Sequence, residues 1–382
     1  MIVTQLSLTD FRNYETVEVA LQRGSNLFVG SNGQGKTNLV ESLGYLSTLG
    51  SHRVSTDHAM IRQGKESAII RARLEHEDRQ ILAEVQLNRS GANRAQINRS
   101  VIKTRELPRY FSSVLFAPED LALVRGDPSG RRRFLDELLV LRSPRVTAII
   151  VDYDRVLRQR NSLLKSARAG GPRSVDLSTL EIWDEQLVSL GSRLIEARIS
   201  LVADLLPEVS QAYTAIAGED HNATLSHQLS VYEQSNSAGI VGSSGLERTT
   251  AATIQVRFRV ALETVRRAEL ERGLTLVGPH RDDLVLELNN LPARGYASHG
   301  ESWSFALALK LASAALLRRA SSTGDPVLML DDVFAELDRS RRERLAGAVS
   351  DFEQVLITAA VFDDVPSELV GNTIRISQGT IL

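Results

Sequence analysis

An α/β fold is predicted, with one lobe split between the two ends of the chain and a mainly helical second lobe inserted between them. Three observations carry it. A glycine-rich loop at residues 30–37, GSNGQGKT, follows the apolar run Leu27-Phe28-Val29 and opens a helical pattern over 37–49. A second apolar run, 326–330, ends on Asp331 and Asp332 near the far end of the chain. Between them, residues 119–217 are mostly helical in pattern. The loop and the paired carboxylates are two halves of one site, which cannot assemble unless the chain returns to its own beginning. Residues 1–105 and 275–382 are therefore expected to share a sheet, with 106–274 as the inserted lobe II.

Taken in order, residues 2–8, 16–21 and 26–29 alternate or run apolar as strands do. Asp10-Phe11-Arg12-Asn13-Tyr14 makes a polar corner between the first two. The loop after the third has the spacing Gly30, four residues, Gly35-Lys36-Thr37, the phosphate-binding pattern at the end of a strand. Its glycines let consecutive backbone N–H groups curl around phosphate oxygens where a Cβ would collide. The candidate contacts are Gly30, Ser31, Asn32, Gly33, Gln34, Gly35, Lys36, Thr37 and Asn38. Lys36 places a charge on the β- and γ-phosphates, and Thr37 offers a hydroxyl to Mg²⁺. The helix behind points its positive end at the same anion. ATP with Mg²⁺ is the expected cofactor.

Residues 67–75, 80–87 and 93–98 read as an antiparallel set with Gly91 in one turn, and 113–117 as a short strand stopped by Pro118. Helical patterns fill 129–168 and 178–217, broken at Ala169-Gly170-Gly171-Pro172. Residues 235–250 are rich in Ser and Gly and read as a mobile loop. A helix over 251–272 is closed by Gly273. β-like segments return at 274–277 and 284–289, and a helix spans 301–320. After the strand 326–330 come a helix at 339–350 and strands near 354–358 and 373–376. There is no internal repeat and no heptad run long enough for a coiled coil.

The strand at 326–330 has the shape of a Walker B element. Asp331 would hold Mg²⁺, directly or through water, opposite Thr37, and Asp332 would stand beside the attacking water as base or water-positioner. Ahead of it, Tyr296-Ala297-Ser298-His299-Gly300-Glu301-Ser302 opens a strongly apolar helix. Ser298 and Gly300 at that helix start offer a second anion site of N–H groups and a hydroxyl. One ATP does not need two such sites within one subunit. It needs both if two subunits face each other head to tail, each lending its Ser298 end to the other's γ-phosphate. That is the arrangement of ABC-type ATPases, and Phe334-Ala335-Glu336-Leu337-Asp338 fits the loop that crosses their dimer seam.

These stretches and two more resemble the RecF family of recombination-mediator ATPases, whose heads are similar to those of the SMC family. LTDFRNY (8–14) resembles the family's opening and GSNGQGKTNLVESL (30–43) its Walker A. APEDLALVRGDPSGRRRFLD (117–136) and VGPHRDDL (277–284) resemble its middle landmarks, and LMLDDVFAELD (328–338) its Walker B and D-loop. The resemblance runs through the whole chain. It implies an SMC-like, ABC-type P-loop ATPase head that closes as a homodimer on ATP and binds single-/double-stranded DNA junctions or gaps. It further implies slow, DNA-stimulated hydrolysis and help in loading RecA, with partners similar to RecO and RecR. By match to SMC-type heads, Arg12 and Asn13 would lie near the base and the α-phosphate. Three places depart from the general ABC pattern: SHGES replaces a Ser-Gly-Gly-Gln type signature, Asp332 the usual Glu, and Thr358 a switch His. Each weakens the expectation of rapid turnover, because base and sensor must reach the water or γ-phosphate. None weakens ATP binding.

Composition narrows the classes. A chain of 382 residues suffices for two or three domains, and 42% apolar with 24% charged residues is ordinary soluble-protein composition. There is no cysteine, which excludes disulfides, zinc hooks and thiol chemistry. No apolar run is long enough to span a bilayer and Met1 leads straight into a strand pattern, so a cytoplasmic, nucleoid-associated protein is expected. The net charge of −2 gives no bulk attraction to nucleic acid, so contact must come from a local patch. Arg131-Arg132-Arg133 cannot form one stripe, since helical neighbours point about 100° apart. Arg155, Arg158, Lys165 and Arg168 fall on one helix side and are the candidate DNA contacts, against the ordinary alternative of a solvated face. His280, Asp282, Asp283 and His299 imitate metal ligands but read as hydrogen-bonding groups. Two other classes fit parts of the chain, the ATPase subunit of another ABC-type system and a P-loop kinase. The DFRNY opening and the charged helical insert speak against the first, and ATP-dependent dimerisation would separate the second.

Overall fold

The structure, a computed structural model, describes residues 1–170, 177–218, 221–233, 240–241 and 249–382. Most of the Ser/Gly-rich stretch 235–250, and Gly171-Pro172 of the expected break, lie outside the described residues. The chain groups into two units. The first is Met1–Val124 with Glu208–Asp220 and Ser298–Leu382; the second is Arg125–Pro207 with His221–Ala297.

The first unit holds two sheets with a helix between them. One sheet is antiparallel, formed by β1 (Ile2–Phe11), β2 (Tyr14–Ala20), β4 (Ser67–His76), β5 (Arg79–Asn88), β6 (Arg94–Ile97) and β7 (Ser100–Ile102) in the order β2-β1-β4-β5-β6-β7. Strict alternation buries Leu6 and Leu8, Ile70 and Ala72, Ala83 and Val85 on one face, while Ser7, Arg71 and Glu84 pair across the other. The second sheet contains β3 (Gly24–Val29), β8 (Ser113–Phe116), β13 (Val327–Asp331), β14 (Gln354–Ala359), β15 (Asn372–Ser377) and β16 (Thr380–Ile381), in the order β16-β15-β3-β14-β13-β8. All its pairings are parallel except β15–β16, and β13 and β14 are buried at every residue, as strands covered on both faces must be. The helix Lys36–Thr48 fills the space between. Its Leu39, Val40, Leu43 and Leu46 share one core with Leu6 and Leu8 of the first sheet and Met329 and Leu356 of the second.

The two ends of the chain meet in that parallel sheet. β3 lies between β14 and β15, with Asn26 opposite both Leu356 and Asn372. Buried Gln354 fastens the second sheet to β1, accepting from Val3 N at 2.7 Å and donating to Val3 O at 2.8 Å. The partition does not follow the expected limits. Ser113–Phe116 pairs with β13, Val114 opposite Leu328, so the first segment of this unit runs past 105 to Val124.

The second unit combines the helices Pro128–Arg142, Val146–Gly170 and Ala251–Arg272, and the first thirty-odd residues of the helix Leu177–Ala217, with a small sheet. That sheet is β10 (Ile240–Val241), β9 (Thr224–Gln228), β11 (Asp283–Leu288) and β12 (Leu291–Pro292), in this order. The helical pattern over 129–168 is carried by two helices, because Pro144 cannot continue a helix and bars its neighbour Ser143 from helical backbone. The β-like reading of 274–277 is also corrected: those residues form no strand. Asn161 Oδ1 accepts from Thr275 N at 2.7 Å and Glu269 Oε1 from Leu276 N at 2.8 Å, so side chains take the bonds a neighbouring strand would have made. Fully buried Arg160 ties the same place together, donating to Asp184, Glu269 and the Thr275 hydroxyl. A buried cation is tolerated because two carboxylates face it.

Asp282 is the opposite case. Its Oδ1 accepts from Ser230 N and Ser230 Oγ, both at 2.8 Å, but its buried Oδ2 has no hydrogen-bond partner among the described residues. Burial pushes the carboxyl from 3.8 up to about 6. The folded chain thus keeps a proton that the unfolded chain has released, so this group's contribution to stability falls as pH rises from about 4 to about 6 and stays low above that. Asp282→Asn keeps the Oδ1 acceptor and carries no charge. It is expected to raise stability by about 2 kcal/mol at pH 8 and by little at pH 4, as urea unfolding at both pH values would measure.

Candidate nucleotide site

The loop at 30–37 leaves β3 and enters the helix Lys36–Thr48, all within the first unit. Its glycines are dictated by neighbours as well as by the turn. Gly35 stands at φ 117°, and a Cβ there would lie 2.6 Å from Tyr14 Oη and 2.9 Å from Asn13 Nδ2. A Cβ on Gly30 would meet the Ile376 carbonyl oxygen at 2.3 Å. The crest, Ser31 to Gly33, is exposed, while Lys36 is buried and donates to Gly30 O at 2.8 Å and Ser31 O at 3.3 Å. The ammonium is thereby held under the loop it would serve.

Asp331 closes the site from β13. Its Oδ1 accepts from Thr37 Oγ1 at 3.0 Å and from Thr358 Oγ1 at 2.6 Å. Parallel register sets Thr358 beside Asp331, and its hydroxyl also accepts from Asp332 N at 2.9 Å. Where a switch His would stand in the general ABC pattern, this chain has a brace for the paired aspartates. Burial pushes the Asp331 carboxyl up to about 6 against the pull of those two hydroxyls. Asp332 holds left-handed backbone, φ 51°, which is uncommon for a residue with a side chain.

Sequence reading passed over His52. Its Nε2 lies 4.0 Å from Asp331 Oδ2, and burial lowers its pKa to about 4, so the imidazole is neutral. His52 Nε2, Asp332 Oδ1 and Tyr14 Oη are buried atoms without a hydrogen-bond partner among the described residues, and all three border the loop or its closing strand. Buried polar atoms are ordinarily satisfied, so this grouping fits a site that completes its bonding with a ligand. The donor set suits Mg²⁺–ATP: loop N–H groups and Lys36 for phosphate oxygens, and the Thr37 hydroxyl with the Asp331 carboxylate as oxygen ligands for a hard cation.

Beside the loop opens a cleft of about 520 Å³ lined by Arg12, Asn13, Asn38, Arg53, Ala59, Ile61, Gln63 and Arg89. Arg12 and Asn13 both line it, but Arg12 is already engaged. Its guanidinium donates to both oxygens of buried Glu41, at 2.8 and 2.6 Å, and to Ala59 O at 2.8 Å. Burial alone would raise the Glu41 carboxyl; the bonds from Arg12 and Ser51 outweigh it and hold the group below the usual carboxylate range. Asn13 Oδ1 accepts from Asn38 Nδ2 at 2.7 Å, and Asn38 Oδ1 from Arg53 Nη1 at 3.0 Å. Glu41 and Arg53 were not singled out in sequence, since a lone acid inside a helix and an arginine after it carry no motif.

Ser298 caps the helix His299–Ala320. Its hydroxyl accepts from Glu301 N at 3.2 Å and Glu301 Oε2 accepts from Ser298 N at 2.7 Å, a capping box. Ser298 and His299 are exposed. Gly300 faces the guanidinium of Arg341, which also bonds Ser304 and pairs with Asp338, the cap of the helix Arg339–Val349. Among the described residues, the hydrogen bonds of Ser298 run to Glu301 and Ser302 and none to the loop at 30–38 of the same chain.

In the second unit, Arg155, Arg158, Lys165 and Arg168 are all exposed on the helix Val146–Gly170. Arg155 pairs with Asp152 at 3.0 Å, and Arg168 donates to Arg272 O. Arg131 is buried against Asp283, Arg132 donates to Asp282 O, and exposed Arg133 pairs with Glu137 one turn on, so all three cations already have partners within the chain. His280 bonds Tyr153 Oη at 2.7 Å.

A phosphate-loop helix, a strand ending in paired aspartates and a serine-capped helix on one mainly parallel sheet define the class: a P-loop ATPase head of the ABC type. Residues 2–375 match the RecF/RecN/SMC N terminal domain family, and the chain belongs to that family, in its RecF branch. It is 63% identical over 387 residues to the DNA replication and repair protein RecF of Clavibacter sepedonicus, spanning 100% of this chain and 95% of that one. It is similar at TM-score 0.87 and 28% identity to the structure of the recombination mediator protein RecF with ATP in the RecFOR pathway, over 100% of this chain and 96% of that one. An SMC head bound to the C-terminal winged-helix domain of ScpA aligns at TM-score 0.54 and 15% identity, over 100% and 96%, and shares the fold. No helix among the described residues is long and apolar enough to cross a membrane.

Proposed function

We propose that this chain is an ATP-driven DNA-binding switch of recombinational repair and replication. It closes as a head-to-tail dimer on ATP, holds DNA at single-/double-stranded junctions or gaps, and assists RecA loading with RecO- and RecR-like partners. Slow hydrolysis then resets it. The observation that carries this reading is the separation of two anion-binding ends. The loop at 30–38 meets Asp331 through Thr37, whereas exposed Ser298 has no bond to that loop in its own chain. A second subunit can bring the two together. The close RecF relatives and the ATP-bound RecF structure support the same reading.

In this reading the first unit is the ATPase lobe and the second the inserted lobe II. The loop N–H groups and Lys36 bind the phosphates, Thr37 and Asp331 hold Mg²⁺, and Asn13, Asn38 and Arg12 border the nucleoside. Bound Mg²⁺ would neutralise phosphate charge. Asp332 positions the attacking water, and its shorter side chain with Thr358 behind it keeps turnover slow. Arg155, Arg158, Lys165 and Arg168 contribute DNA contacts. Sizing the full chain with and without ATP and DNA tests the proposal. A dimer that appears with ATP supports it; a monomer under all conditions favours a single-subunit P-loop enzyme.

Hydrolysis is checked separately. Asp332→Asn removes the proton acceptor and leaves Asp331 intact, so ATP binding is expected to persist while turnover falls about a hundredfold and the ATP-bound dimer outlives that of the parent chain. Turnover at the parent rate would assign the water to another residue.

A further inference from the structure

We propose that the outer edge of the antiparallel sheet, the β6–β7 hairpin with its flanking turns, is a contact surface for the DNA phosphate backbone, distinct from the helix Val146–Gly170. The inference rests on the DNA-binding reading above and adds where the first unit would meet the strand. Arg89, Arg94, Arg99, Lys103, Arg105 and Arg109 are all exposed, and Glu106 is the one acid between residues 89 and 109. None of the six is in an ion pair among the described residues. Some exposed arginines elsewhere find carboxylates, as Arg155 does with Asp152, Arg259 with Glu185, Arg267 with Glu271 and Arg339 with Glu343, while others such as Arg79, Arg145 and Arg158 have no ion pair among the described residues. What sets this edge apart is the run of six exposed cations against the single acid Glu106 over residues 89–109.

Strand register gathers the cations. Gln86 pairs with Arg94 and Ala95 with Ile102, so Lys103 leaves β7 beside the start of β6, and Arg89 enters the turn that leads there. Arg99 sits at the opposite end of the hairpin, about 13 Å away at about 3.3 Å per strand residue. A duplex presents one negative charge per about 1.7 Å of axis, so an edge of that length faces several phosphates at once. Arginine dominates the set, and its planar fork matches phosphate oxygens two at a time.

The hairpin tip supplies an independent sign. Asn98 and Arg99 both hold left-handed backbone, φ 49° and 67°. A two-residue turn of this kind favours Asn followed by Gly. Asn98 suits it, with Oδ1 accepting from Leu82 N at 2.8 Å, but Arg99 occupies the glycine position against its backbone preference. A strained arginine at an exposed tip is the kind of outlier that marks a binding role. The plainer explanation, that charges guard a sheet edge from aggregation, would need them on β7. Arg89, Arg94, Arg105 and Arg109 lie off that strand.

The test uses the full chain and measures DNA affinity against salt. Replacing Arg94, Lys103 and Arg105 together by Gln is expected to lower the slope of log Kd against log salt by about 3 for duplex DNA, alike for unrelated sequences, with ATP binding unchanged. Arg99→Gly is expected to melt no earlier than the parent chain yet lower the slope by about 1, which a purely structural role for Arg99 would not do. An unchanged slope in the triple variant, with flattening instead on reversing Arg155, Arg158 and Lys165, overturns the proposal and leaves DNA binding intact. An unchanged DNA slope with lost binding to polyglutamate also overturns it, by assigning the surface to an acidic protein. Failure of the parent chain to bind DNA at all would sink the broader reading, and this inference with it.

Discussion

Lys36→Met should bind ATP about a hundredfold more weakly than the parent chain, the loss expected when a buried charge-assisted contact worth about 3 kcal/mol is removed. The loop is otherwise built of neutral backbone donors, so no second cation stands in. The substitution should cost little stability, because the present partners of Lys36 are two carbonyl oxygens, of Gly30 and the exposed Ser31. Lys36→Arg is not a rescue: the residue is 3% exposed, and a planar guanidinium does not fit where a compact ammonium is packed under the loop. Titration with a fluorescent ATP analogue checks both variants. Binding at the parent affinity by Lys36→Met would remove the phosphate-binding assignment, and the dimer argument with it.

What was legible in sequence follows from how each feature is encoded. The loop is contiguous, because phosphate cradling needs successive backbone N–H groups, so Gly30 to Thr37 could be read directly. β13 is a near-continuous apolar run, and β3 and β14 declare themselves by the apolar triplets Leu27-Phe28-Val29 and Val355-Leu356-Ile357. Asp331 and Asp332 could be found because they end such a run. The bonds that brace them could not. Thr358 reaches Asp331 only through parallel register between β13 and β14, and His52 only through the fold after the helix Lys36–Thr48. Arg12 could be placed near the site, but not its commitment to Glu41, because a pair 29 residues apart leaves no local pattern.

The missed elements have the same kind of cause. β9 buries Leu225, Ser226 and His227 in succession, so its polar residues face inward and no period-two alternation appears. The segment at 274–277 has strand-like residues, yet Asn161 and Glu269 satisfy its backbone. Ser113–Phe116 was readable as a strand, but its partner lay more than two hundred residues away, and with it the true limit of the first unit. Local chemistry was readable; long-range pairing was not.

Ser298→Arg tests the shared site most sharply. Ser298 is exposed and bonded only within its own helix start, so a larger side chain there should leave the fold and the loop at 30–37 intact. Monomers should therefore bind ATP as the parent chain does. Dimerisation on ATP should fall about a thousandfold, because a bulky cation replaces a small donor at the seam and is buried there unpaired. Mixing with Lys36→Met then checks the geometry. In a head-to-tail pair of the two variants, one site joins the intact loop of the Ser298→Arg subunit to the intact Ser298 of the Lys36→Met subunit, while the other site carries both defects. Partial recovery of ATP-dependent dimerisation in the mixture, absent from either variant alone, is the expected result by light scattering. If Ser298→Arg dimerises on ATP like the parent chain, the γ-phosphate is not shared across the seam, and a single-subunit enzyme becomes the better account of the loop.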